Sequence, residues 1–195
     1  MNIVYDLREK QQFVSFDAES EVKGRLILSA VRRLSSYNIM PLLMRHGLDK
    51  VEPEVWYPFQ TWLNILNDIS ANGSTVFDYI SLGIAVAELI PFPPEFSRMA
   101  FGNVLKAAAH LYELDHRGGN FGKLTAVDAA LHEVQFDTCT PYPDDYLYGM
   151  IIGIARNYVP YGMHFIVKYD EDILRRDKGG ERTCISVFWN KVVGS

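Results

Sequence analysis

A chain of 195 residues, 48% of them apolar, holds enough hydrophobic surface for an ordinary core and reads as one domain, 1–195, that folds alone. Its formal charge of −5, from 24 acidic and 19 basic residues, argues against a nucleic-acid partner, and the pairs Arg32-Arg33 and Arg175-Arg176 are too short to track a phosphate backbone. Cys139 and Cys184 have no zinc spacing, the start has no apolar signal core, and no apolar run approaches the roughly 20 residues that cross a bilayer, so the sequence predicts a cytoplasmic protein without a membrane span.

Residues 1–20 are polar and weakly patterned, apart from Phe13-Val14-Ser15-Phe16, which suits a short strand. Residues 21–116 read as mostly helical. A helix from about Glu21 to Tyr37 sets Leu26, Ala30, Val31 and Leu34 on one face, and "MPLLMRHG" forms a short helix stopped by Gly47 before the connector "DKVEPEVWYP". "FQTWLNILNDIS" and "STVFDYISLGIAVAELI" form a helical hairpin about Ala71-Asn72-Gly73, with Ser74 capping the second helix. Pro94 then opens a long helix reaching about His116, which Arg117-Gly118-Gly119 ends.

From 117 to 195 the pattern becomes strand pair, helix, strand hairpin. "KLTAVDAALHEVQFDT" supplies the first strands, and "MHFIVKYDED" and "ERTCISVFW" alternate about a Lys178-Gly179-Gly180 turn. The helix between them, "PYPDDYLYGMIIGIARNY", sets Leu147, Met150, Ile151, Ile154 and Tyr158 on one face, with Asp144 and Asp145 at its positive end. Its Gly149 and Gly153, four apart, either let a neighbouring backbone come close or are a chance spacing of two among 14 glycines. The fold class is α+β, a helical N-terminal layer packed on a small antiparallel sheet.

The chemistry-bearing residues are few. In the long helix, Phe96, Ala100, Val104, Ala107, Leu111 and Leu114 form an apolar stripe with His110 beside it, while six residues of rotation, about 120 degrees, carry His116 to another side. His116 reads as a C-terminal residue whose ring bonds the last free carbonyls. His110, flanked by Ala107, Ala108 and Ala109, has two readings: an axial ligand beside room for something large and flat, or a core-edge histidine with one hydrogen bond. "GGNFGKLT" fails as a phosphate loop, since Arg117 stands where the first glycine is needed and Leu124 follows Lys123. A small enzyme would have to use Cys139, or the carboxylates Asp144 and Asp145, although an inert thiol and dipole compensation explain the same residues. Trp56, Tyr57 and Trp62 are the aromatics that a dimer surface would use.

"AAAHLYEL" on a helix, then two strands, the "DDYLYGMIIG" helix and a final hairpin follow one another in an order that resembles the haem nitric oxide/oxygen-binding (H-NOX) domain and its haem-free relatives of the 4-vinyl reductase (V4R) type. The resemblance implies a pocket between helices and sheet, a small-ligand sensor or signalling role, a separate signalling protein as partner, and a homodimer. It also implies haem as cofactor, with His110 at the proximal iron position. In that family a Tyr-x-Ser-x-Arg motif before the "DDYLYG" helix clamps the haem propionates, whereas this chain reads Asp137-Thr138-Cys139-Thr140-Pro141 there, which removes the arginine and adds an acid. The expected pocket is lined by His110, Val104, Leu111, Tyr146, Met150 and Ile154.

Overall fold

The computed structural model describes residues 12–34, 39–71 and 79–191. In chain order the elements are β1 (Glu21–Lys23), α1 (Gly24–Leu34), α2 (Met40–Arg45), β2 (Trp56–Pro58), α3 (Phe59–Ala71), α4 (Tyr79–Leu89), α5 (Phe101–Leu114), β3 (His116–Arg117), β4 (Lys123–Ala130), β5 (Glu133–Cys139), α6 (Asp144–Tyr158), β6 (Met163–Tyr169) and β7 (Thr183–Lys191).

The larger sheet has the order β4-β5-β7-β6, with every neighbouring pair antiparallel. Alternation along β5 turns Val134, Phe136 and Thr138 inward, and with Ile185 and Val187 of β7 they make the floor on which α5 and α6 lie. A second sheet, β2-β1-β3, sits under α1 and α3. The α+β architecture, with helices packed on a small antiparallel sheet, is the expected one.

Helix α4 runs against α6 at backbone contact. A Cβ added at Gly149 would stand 2.1 Å from the Ile80 carbonyl oxygen, and one at Gly153 would stand 2.7 Å from that of Ile84. The two glycines therefore do admit a neighbouring backbone, and the neighbour is α4.

Four local expectations fail. Phe13 to Phe16 lie in turns and bends, with Phe13 at φ 64, in place of a strand. Glu21–Lys23 is a strand that precedes the helix, since it pairs on both sides, with β2 and β3. The connector contributes β2 to that sheet, so the 21–116 region is helical with three short strands set into it. The long helix from Pro94 is broken: Pro94–Arg98 is a 3-10 turn, Met99 and Ala100 are extended, and only then does α5 begin. Of the expected apolar stripe Phe96 and Val104 are buried, whereas Ala100 and Leu114 are exposed, so the stripe does not run on as one buried face. The Ser74 cap falls outside the described residues.

Candidate ligand cavity

Between α5, α6 and the sheet lies a cavity of about 70 Å³. Helix α5 offers Ala108 and Ala109, whose small side chains leave the space open, together with Leu111 and Tyr112. Opposite them α6 presents Tyr146, Met150 and Ile154, spaced four apart on one face, with Leu147 and Ile151 beside them. Leu124 and Phe136 close it from the sheet, and Ile90 and Phe92 from the chain after α4.

One end of this apolar chamber is polar. After Leu114 the chain leaves the helix, and His116 pairs with Val22 as part of β3, which turns its ring inward to 3% exposure. Its Nδ1 lies 2.7 Å from the Tyr112 carbonyl oxygen, which can only accept, so Nδ1 carries the proton and donates. Nε2 is then the acceptor, and the Tyr142 hydroxyl donates to it at 3.0 Å. The rings of Phe59, Tyr112, Phe121 and Tyr142 surround the imidazole with centroids 4.2 to 5.8 Å away. Burial among them pushes the His116 pKa down to about 4, so the ring is neutral.

Asp115, 4% exposed, shares this end and is held by Arg25 through Nε at 2.6 Å and a terminal nitrogen at 2.5 Å. Burial raises its carboxyl pKa, against the pull of that guanidinium. Tyr112 donates its hydroxyl to the Phe121 carbonyl at 2.5 Å.

Of the six residues expected to line the pocket, Leu111, Tyr146, Met150 and Ile154 do so. Val104 is buried at 1% exposure, one turn below, in the packing of α5 against the sheet. His110 faces outward: its side chain is 66% exposed and Nδ1 sits 3.1 Å from the Glu113 carboxylate on the same helix. The inward face of α5 is set by Val104, Leu105, Ala108 and Tyr112, and His110 lies across from it. The bond predicted from the His116 ring to a last helical carbonyl is present, on Tyr112, but the ring is a neutral wall of the cavity and not a charge on the helix end.

Sequence reasoning overlooked Tyr142, Tyr112 and the role of His116. Tyr142 and Tyr146, four apart across the start of α6, were the available signal. Trp62 is 1% exposed and belongs to the core, which removes it from any dimer surface. Trp56 is half-buried between Lys23 and Arg117, whose charges lie 4.9 and 4.5 Å from the ring centre.

The enzyme candidates lie apart from the cavity wall. Asp144, 1% exposed, accepts from the Thr183 hydroxyl at 2.7 Å and from the Asp177 N–H at 3.1 Å. Asp145 accepts from Tyr169 at 2.7 Å and from Arg175 at 2.8 Å. Both tie the start of α6 to the loop before β7. Cys139 is half-buried beside a surface groove with Lys123 and Arg182, and Cys184 donates to Asp137, with burial pushing its thiol up to about 11. Among the described residues no His, Cys, Asp and Glu cluster is arranged to hold a metal ion, and no helix is long and apolar enough to cross a membrane.

No family model matches the chain, and no curated protein does. Solved structures do. An H-NOX structure concerned with haem distortion superposes with a TM-score of 0.65 at 16% identity, over 89% of this chain and 98% of that one. The chain has an H-NOX-like fold. A triple mutant of the S. oneidensis H-NOX protein in the Fe(II) ligation state gives 0.64 at 12% identity, over 87% and 96%. A T. tengcongensis H-NOX mutant gives 0.62 at 16%, over 88% and 100%. The identities are low enough that the H-NOX-like fold is what these likenesses establish.

The residues present do not fit haem. An axial imidazole needs a free ring nitrogen facing the iron. His110 points to solvent, and both nitrogens of His116 are engaged inside its aromatic surround. The 137–141 segment offers no arginine; Asp137 pairs with Arg182, and the buried Arg176 donates to the Thr140 carbonyl from the loop before β7. The cavity is about half the ~150 Å³ that admits benzene, well short of a macrocycle.

Proposed function

We propose that the chain is a single, cytoplasmic ligand-binding domain that acts as a non-catalytic small-ligand sensor or signalling module without haem. The observation that carries this reading is the cavity between α5 and α6, apolar along its walls and polar at one end, where ligand pockets characteristically pair an apolar lining with a few placed polar groups. Signalling works by population shift: a ligand that binds one packing of α5 better favours it. The cavity wall continues through His116 into β3 and on to β1, so a change in that packing reaches the outer surface, where a separate signalling protein or a second copy reads it.

The rival reading is a haem-based gas sensor with His110 as proximal ligand, and its support is the likeness to H-NOX structures. Supplying haem during purification and recording the visible spectrum separates the two. The haem-free reading expects no Soret band, and a small molecule retained in native mass spectra. A Soret band that His110→Ala abolishes would establish the rival. A clean apo mass, with no thermal shift from any neutral small molecule, would leave only a scaffold.

A further inference from the structure

The polar groups of the cavity can be counted by what each already does. Tyr112 donates to Phe121, Tyr142 donates to His116, His116 has both nitrogens in use, and Asp115 holds Arg25. Tyr146 is different. It is 3% exposed, its ring stacks on that of Tyr142 at 5.2 Å, and its hydroxyl has no hydrogen-bond partner among the described residues. Burial alone raises its pKa, with neither a charge nor a hydrogen bond contributing, so the phenol keeps its proton and has a donor to offer. A donor with no protein acceptor gains a hydrogen bond from any ligand that brings an acceptor.

Charge narrows the class further. Among the described residues no lysine or arginine lines the cavity, and the guanidinium of Arg25 beside it is taken by Asp115, so a carboxylate or phosphate would enter without a counter-ion. The remaining wall near Tyr146, made by Leu111, Met150 and Ile154, is hydrocarbon and thioether. A volume of about 70 Å³, compared with the ~150 Å³ that takes the six carbons of benzene, fits about three non-hydrogen atoms, which makes a four-atom compound the upper limit.

Resting on the reading of this cavity as a ligand site, we infer that its ligand is a small neutral carbonyl compound, whose oxygen accepts a hydrogen bond from Tyr146 while its alkyl part packs on Met150 and Ile154.

Methyl-labelled methionine gives the readout, with Met150 as reporter. Wild type and Tyr146→Phe are titrated with acetone, with isobutene as its isostere lacking the acceptor, with acetate, and with xenon. Acetone and isobutene should both move the Met150 methyl signal and acetate should not. Tyr146→Phe should weaken acetone about five- to tenfold, the worth of one hydrogen bond, and leave isobutene unchanged. Carbonyl-labelled acetone bound to wild type should show a downfield carbonyl shift, a measurement that stands even where the variant fails to fold. Equal acetone affinity in both proteins, an unshifted carbonyl, or acetate binding at Met150 overturns the ligand class. If xenon enters and neither organic probe does, the class is wrong while the cavity reading survives. If xenon also stays out, the cavity reading itself is at fault.

Discussion

His110 and His116 belong to one short stretch of chain, and the protein treats them in opposite ways. The first stands in water with its ring against Glu113, on the outer side of α5. The second lies in a shell of four aromatic rings, with both nitrogens satisfied and its proton fixed on Nδ1. Sequence spacing alone does not separate them, because the difference arises where the helix ends. Asp115 leaves helical geometry at φ −100 and ψ 1, Lys23 donates its N–H to the Asp115 carbonyl, and the next residue is captured by β1 as a strand partner. An imidazole can act as a dry wall or a wet surface group depending on one such junction.

The contrast is broken most severely at His116. His116→Ala removes a buried ring, leaves the Tyr142 hydroxyl and one Tyr112 carbonyl bond unmet, and opens a hole among aromatics. We expect a loss of about 4 kcal/mol in urea unfolding. Free imidazole at millimolar concentration should recover part of that loss by refilling the hole. A variant as stable as wild type would show that the His116 shell is not built as described.

The same ring imposes a pH dependence. Its folded pKa of about 4 lies below the ordinary 6.5, so between those values the unfolded chain binds a proton that the folded chain excludes. Its contribution is complete above pH 6.5 and is lost as pH falls toward 4, amounting to about 3 kcal/mol. The buried carboxyls of Asp115 and Asp144, whose pKa values are raised by burial, act in the opposite direction. The clean measurement is therefore the wild-type pH profile minus that of His116→Ala, and the difference should shrink on acidification through this window. A flat difference would mean that the imidazole is hydrated in the fold.

Much of this was legible in advance, and the part that was not has a physical reason. Periodicity located α6 and the strands β4 to β7, since each buries one face and must repeat at its own period. It also placed Leu111, Tyr146, Met150 and Ile154 on the cavity. It failed at His110 because the stripe was drawn through Ala107, Leu111 and Leu114, whereas the buried face runs through Leu105, Ala108 and Tyr112, and it failed at His116 because β3 ends the helical phase before that residue. Short strands such as β1, β2 and β3 carry too few residues to show alternation. They exist because each supplies the hydrogen-bond partners of the next, a long-range fact that no local window contains.

Tyr142→Phe sharpens the contrast more gently. It keeps the ring that packs on Phe59 and Tyr146 but leaves Nε2 of His116 without its donor. The expected cost is about 1–2 kcal/mol. Because the lost bond stabilised only the neutral imidazole, whose lone pair accepts it, the variant should raise the folded His116 pKa. Ring-proton NMR against pH reads that shift directly, and an unmoved titration would remove Tyr142 from the hydrogen-bonded chain.

The smallest effect should come from His110→Ala. The side chain is mostly solvated, its pair with Glu113 is a surface contact within one helix turn, and alanine has the higher helix propensity, so stability should stay within about 0.5 kcal/mol of wild type. Ligand uptake at Met150 should be equally indifferent, since the ring is on the far side of α5 from the cavity. A large loss of stability, or of ligand, from this one substitution would mean that the helix is turned about its axis from the orientation described, and would return His110 to the interior in place of Ala108 and Tyr112.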